Sequence, residues 1–118
     1  CVGAAGVAVR KRGENMTAYN VVRMRVKAKH EEQFLALHRE MDTAMQAAMR
    51  ANGFRKNAIV KTSERSYCFL GEWESMAGIA KSRAEMVANL DRMRPMLEDL
   101  GGGLGVTDPV SGEAVLEF

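Results

Sequence analysis

The sequence predicts an α+β fold of β-α-β-β-α-β order, on three observations: an alternating run near residue 20, two stretches of helical period, and two β-prone runs joined by a short polar link. From Ala18 to Lys27, Asn20, Val22, Met24 and Val26 share one face of a half-buried strand, and Tyr19, Val21, Arg23 and Arg25 share the other. His30 to Ala51 reads as a helix, because Phe34, His38, Met41, Met45 and Ala48 form one stripe while Glu32, Arg39 and Gln46 lie opposite. Asn52-Gly53 ends it, glycine accepting the left-handed cap without a Cβ clash.

A second strand is expected from Arg55 to Thr62, then the link Ser63-Glu64-Arg65-Ser66, then a third strand from Tyr67 to Glu74, the pair forming an antiparallel hairpin. Ser75 caps a second helix, in which Met76, Ile79, Arg83, Met86, Val87 and Leu90 recur at helical spacing. Pro95 should break that helix and start a short extra one, Pro95 to Leu100. Gly101 to Gly103 reads as a hinge, Asp108 to Gly112 as a turn, and Glu113 to Phe118 as the last strand. This order is the ferredoxin-like arrangement, one antiparallel sheet with both helices on the same face. The other face must be solvated or covered by a partner, and two such sheets closing on each other predict a homodimer, a dimeric α/β-barrel. Arg23 or Arg25 is expected to pair with Glu72 or Glu74 across that face.

At 118 residues, 47% apolar and 27% charged, the chain suffices for one core. Residues 1–15 carry Arg10, Lys11 and Arg12 against Glu14, which accounts for the whole formal charge of +2 and leaves 16–118 neutral. The first nine residues are small and apolar and the positive cluster follows them, the reverse of a signal peptide, so 1–15 reads as a leader, an expression remnant or upstream read-through, with Met16-Thr17 the expected start of a single domain, 16–118. A neutral domain of alternating charges is a poor nucleic-acid binder. No apolar run approaches the ~18 residues that span a bilayer, so no membrane partner is expected. Cys1 and Cys68 make neither a disulfide framework nor a zinc motif, which fits a reducing cytoplasm. The glycines from Gly101 to Gly105 match no phosphate loop, and no Ser/His/Asp set or spaced carboxylate cluster appears, so no cofactor and no metal site is predicted.

Three segments, Val21 to Lys27, Glu31 to Phe34 and Tyr67 to Met76, resemble in order and length the antibiotic biosynthesis monooxygenase family of dimeric ferredoxin-like barrels. The resemblance spans roughly Met16 to Leu100 and implies a substrate cleft between helices and sheet. The family includes cofactor-independent oxygenases of aromatic polyketides, quinol oxygenases and haem-degrading enzymes. Asn20 is similar to the strand-one asparagine of the haem-degrading members, and Trp73 matches the place of their pocket tryptophan. The helix-two histidine that ligates iron there has no counterpart; helix two carries Arg83 instead.

Within that frame His38 is a candidate base or hydrogen-bond partner, its ordinary pKa near 6.5 suiting proton transfer. Asn20 is a candidate for steadying an oxyanion. Trp73, Tyr67, Phe69 and Arg83 are the candidate substrate contacts. The plainer alternative for each aromatic residue is core packing, and for His38 a core histidine. The methionines read as adaptable core. The implied activity is cofactor-independent monooxygenation of a small aromatic or quinol-type molecule with O2; the alternative is a non-catalytic dimeric binding or stress-response barrel.

Overall fold

A computed structural model of the chain describes residues 16–118, apart from the side chains of 44–46. The expectation for residues 1–15 lies outside the described residues. The elements are β1 (Ala18–Arg25), α1 (Glu31–Ala51), β2 (Phe54–Ser63), β3 (Ser66–Trp73), α2 (Met76–Lys81), α3 (Arg83–Met93), a 3₁₀ turn (Arg94–Met96) and β4 (Asp108–Glu113). They build one antiparallel sheet in the order β2-β3-β1-β4.

The β1–β3 register sets Ala18 opposite Trp73, Asn20 opposite Gly71, Val22 opposite Phe69 and Met24 opposite Tyr67, so these side chains share the helix-covered face. Beneath the helices lie two apolar clusters. One gathers Met24, Val26, Phe34, Met41, Tyr67, Met93 and Leu97; the other gathers Ala18, Met49, Phe54, Trp73 and Ile79. Phe34 and Trp73 are fully enclosed, each burial worth roughly 1.5–3 kcal/mol. Gly53 closes α1 at φ +93°, as the Asn52-Gly53 pair predicts. Ser75 accepts a hydrogen bond from the Gly78 amide at 3.4 Å, the N-cap expected of it.

Several expectations are corrected. The second helix does not run unbroken to Pro95 but bends at Ser82, giving α2 and α3. Ser82 is fully buried and its Oγ accepts from Asn52 Nδ2 at 3.0 Å, which ties the bend to the end of α1. No helix spans Pro95 to Leu100: after the 3₁₀ turn, Leu97 pairs with Val26 and the Glu98 amide donates to the Arg25 carbonyl at 2.8 Å. Burial of Leu97 in the first cluster outweighs its helical propensity. The last strand is Asp108–Glu113, the stretch read as a turn, and not Glu113 to Phe118. It lies at the sheet edge beside β1, where a proline such as Pro109 is tolerated. The stripe of α1 passes through buried Met49, with Ala48 exposed.

The opposite face of the sheet carries Tyr19 and Val21 on β1, Leu70 on β3, Val60 on β2 and Val110 on β4. Tyr19, Val60, Leu70 and Val110 are exposed. Arg23 pairs here with Asp108 at 3.1 Å, because β4 sets that aspartate directly opposite it, while Glu72 lies within 3.8 Å of both Arg55 and Lys56. The expected pairing of Arg23 or Arg25 with Glu72 or Glu74 does not form, since the register places Cys68 and Ser66 opposite those arginines.

Candidate functional site

Where the two apolar clusters meet, the helices stand off the sheet and leave a cavity of about 290 Å³. Met24, Met41 and Met93 reach it from one cluster, and Met49, Phe54 and Ile79 from the other. This is the low end of the ~300–1,000 Å³ typical of small-molecule sites, and the wall has their usual character, apolar with a few polar groups.

Those polar groups sit on both layers. Asn20 projects from the middle of β1 and is 5% exposed. Its carboxamide lies on β3 directly over Gly71, where a Cβ would stand 2.3 Å from Asn20 Oδ1. The indole of Trp73 donates its N–H to that Oδ1 at 2.7 Å. An indole nitrogen only donates, so this bond fixes the orientation of the amide. Asn20 Nδ2 is left on the helix side, where its nearest acceptor is Met86 Sδ at 4.0 Å, a weak contact that a ligand oxygen can replace.

His38 enters from α1. Its ring meets Phe34 edge-on at 4.6 Å, and its Nε2 is buried without a hydrogen-bond partner. Burial in this apolar setting pulls its pKa down to about 4, so the imidazole is neutral at pH 7. The bend at Ser82 aims α3 so that Arg83, Met86, Val87 and Leu90, spaced i, i+3, i+4 and i+7, all line the cavity.

The sequence-predicted residues thus divide. Asn20, His38, Phe69 and Arg83 meet at the cavity. Trp73 and Tyr67 do not line it. Trp73 is 0% exposed and lies behind Asn20, tilted against Phe54 at 4.8 Å, so it can reach a ligand only through Asn20. Tyr67 is buried at the far end of the sheet, where its hydroxyl donates to Glu31 and Lys61 holds the same carboxylate at 2.9 Å. That bond and the neighbouring lysine keep Glu31 ionised below the usual carboxylate range. Asn57, Asn89, Thr107 and Ser111 also line the cavity and were missed. Asn57 was legible in principle, since it shares a hairpin register with Gly71. The Ser82 bend had a signal too: Ser82-x-x-Glu85 has the spacing of a capping box, although the serine hydroxyl here caps nothing in α3.

No protein-family model matches the chain, and neither does any curated protein sequence. Solved structures do. A dimeric ferredoxin-like protein from an uncultured marine organism aligns over 87% of this chain and 91% of its own, at 17% identity and a TM-score of 0.67. The fold is ferredoxin-like. Also similar are SnoaB, a cofactor-independent oxygenase from Streptomyces nogalater (15% identity, 84% of this chain, 93% of that one, TM-score 0.60), and a candidate antibiotic biosynthesis monooxygenase from Nitrosomonas europaea (12%, 89%, 96%, 0.67). At these identities the likeness is one of fold, and the ferredoxin-like scaffold hosts many chemistries. Among the described residues no helix is long and apolar enough to cross a membrane, and no three metal-ligating side chains gather.

Proposed function

We propose that the chain is the subunit of a homodimeric, cofactor-independent oxygenase that binds a small aromatic or quinol-type molecule in the cavity between helices and sheet. The observation that carries this reading is the Trp73–Asn20 bond, which presents a preorganised amide donor to an apolar cavity. A phenol or enol bound there gives its developing oxyanion a hydrogen bond from Asn20 Nδ2 that needs no reorganisation. His38, neutral and unpartnered, supports the role of hydrogen-bond partner to a second ring hydroxyl; with a pKa near 4 it is too weak a base to hold the substrate's proton. Once its hydroxyl proton has passed to solvent through the open side of the cavity, such a ring reduces O2 itself. A ring methylene ends as a carbonyl holding one oxygen atom, and the other oxygen leaves as water with the two hydrogens. Phe69 and the methionines offer the ring an apolar wall on its inner side.

The homodimer reading is supported by the exposed apolar side chains of the uncovered sheet face. With this reading goes the cytoplasmic location expected from the sequence; among the described residues Cys68 is a free thiol. The test is oxygen uptake with a panel of anthrone- and naphthol-type compounds, followed on the wild type and on Asn20→Ala. Uptake that disappears in the variant is expected. Binding of the panel without uptake overturns the oxygenase and returns the non-catalytic binding protein.

A further inference from the structure

We propose that the cavity takes its ligand as an aromatic carboxylic acid, with the carboxylate on Arg83 at the mouth and a ring hydroxyl on Asn20 inside. This rests on the reading of the cavity as a ligand site. Arg23, Arg55, Arg65, Arg92 and Arg94 each hold a carboxylate of the chain. Arg83 lines the cavity and makes no ion pair or hydrogen bond among the described residues. Its place is set by the fold: the chain bends one residue earlier at buried Ser82, which is bonded to Asn52, and this brings the first residue of α3 into line with Met86, Val87 and Leu90 on the wall. The other charged side chain on that wall, Asp42, already has a partner.

The polar groups therefore define a ligand with two ends. The interior offers a fixed amide donor and a neutral imidazole, which suit an uncharged hydroxyl or a delocalised oxyanion. The mouth offers a guanidinium, whose planar fork matches a carboxylate with two parallel hydrogen bonds. A neutral ring would leave Arg83 to water, and an amine would meet its charge. The volume of about 290 Å³ limits the body between the two ends to less than a drug-sized molecule.

The experiment is calorimetric titration of the full chain with 6-hydroxy-2-naphthoate and with 2-naphthol, which differ in the carboxylate alone. Wild type is expected to bind the acid about ten-fold more tightly, the scale of one charge-assisted pair. Arg83→Gln should erase the difference without changing the affinity for 2-naphthol, and Arg83→Lys should restore part of it. Equal affinities in the wild type, or an acid preference that survives Arg83→Gln, overturn the proposal while leaving the oxygenase reading standing. An acid preference that depends on Arg83, without oxygen uptake on any substrate, sustains the anion site and overturns the oxygenase. Binding of neither probe overturns both.

Discussion

Trp73 donates its indole proton to Asn20 Oδ1 at 2.7 Å, on a diagonal across the β1–β3 ladder that passes over Gly71. The bond ties together two residues that a sequence reading treats as separate pocket contacts. Asn20 faces the cavity, and Trp73 determines which end of Asn20 does so.

Asn20→Ala is expected to lower kcat by about 10²–10³, the usual cost of losing one oxyanion donor. Trp73→Phe keeps a ring in the core but frees the amide to rotate, so kcat should fall by a larger factor than the affinity for 2-naphthol. Steady-state oxygen uptake beside titration separates the two effects. A Trp73→Phe variant with full kcat would show that the indole does no positioning.

Gly71→Ala tests the same contact by crowding it. Its Cβ would stand 2.3 Å from Asn20 Oδ1 and 3.1 Å from Trp73 Nε1. Overpacking of this kind costs about 1–3 kcal/mol, and the carboxamide must leave its place. A lower Tm together with oxygen uptake reduced to the level of Asn20→Ala is the expected pair of results.

His38 makes stability depend on pH in a defined window. Its pKa is 6.5 unfolded and about 4 folded, so between these values the unfolded chain binds a proton that the folded chain refuses. Stability is thus level above pH 6.5 and declines as pH falls toward 4, by at most about 3 kcal/mol at 1.36 kcal/mol per pH unit. Urea titrations of wild type and His38→Phe at pH 7.5 and 5 should differ in slope over this window, with the variant the flatter.

Gly78→Ala reverses the ordinary helix rule. Alanine in a helix interior normally gains up to about 1 kcal/mol over glycine. Here its Cβ would lie 2.0 Å from the Asn52 carbonyl oxygen, a backbone atom that cannot move aside cheaply. Thermal unfolding should show a marked fall in Tm, where a solvent-facing glycine would show a rise. Ser82→Ala leaves Asn52 Nδ2 without its acceptor and should cost roughly 1–3 kcal/mol.

The sequence carried most of this fold. The alternation on β1 placed Asn20, Val22 and Met24 correctly on the inner face, and the Asn52-Gly53 and Ser75 punctuation located both helix boundaries. Failures came where tertiary contacts overrule local pattern. Ser82 bends a helix because it is buried against Asn52, thirty residues away in sequence. Asp108 to Gly112 has turn composition, yet β1 offers it an open sheet edge. At the candidate site, face and periodicity put Asn20, Phe69, His38 and Arg83 on the sides that border the cavity, but periodicity says nothing of depth. Trp73 and Phe69 share a face, and only packing decides that one is sealed while the other borders the cavity.

Five methionines line the cavity, more than any other residue type: Met24 from the sheet, Met41 and Met49 from α1, Met86 and Met93 from α3. Unbranched and polarisable, with three rotatable bonds, each can take up a new rotamer at little cost. A chamber lined this way moulds itself to its guest. Its selectivity then resides in the few atoms that cannot move, the amide pinned by Trp73 above all, and rings of differing outline should be admitted provided they present an oxygen at that point. Broad tolerance in shape combined with strictness about one hydroxyl is the ligand profile expected if the proposed function holds.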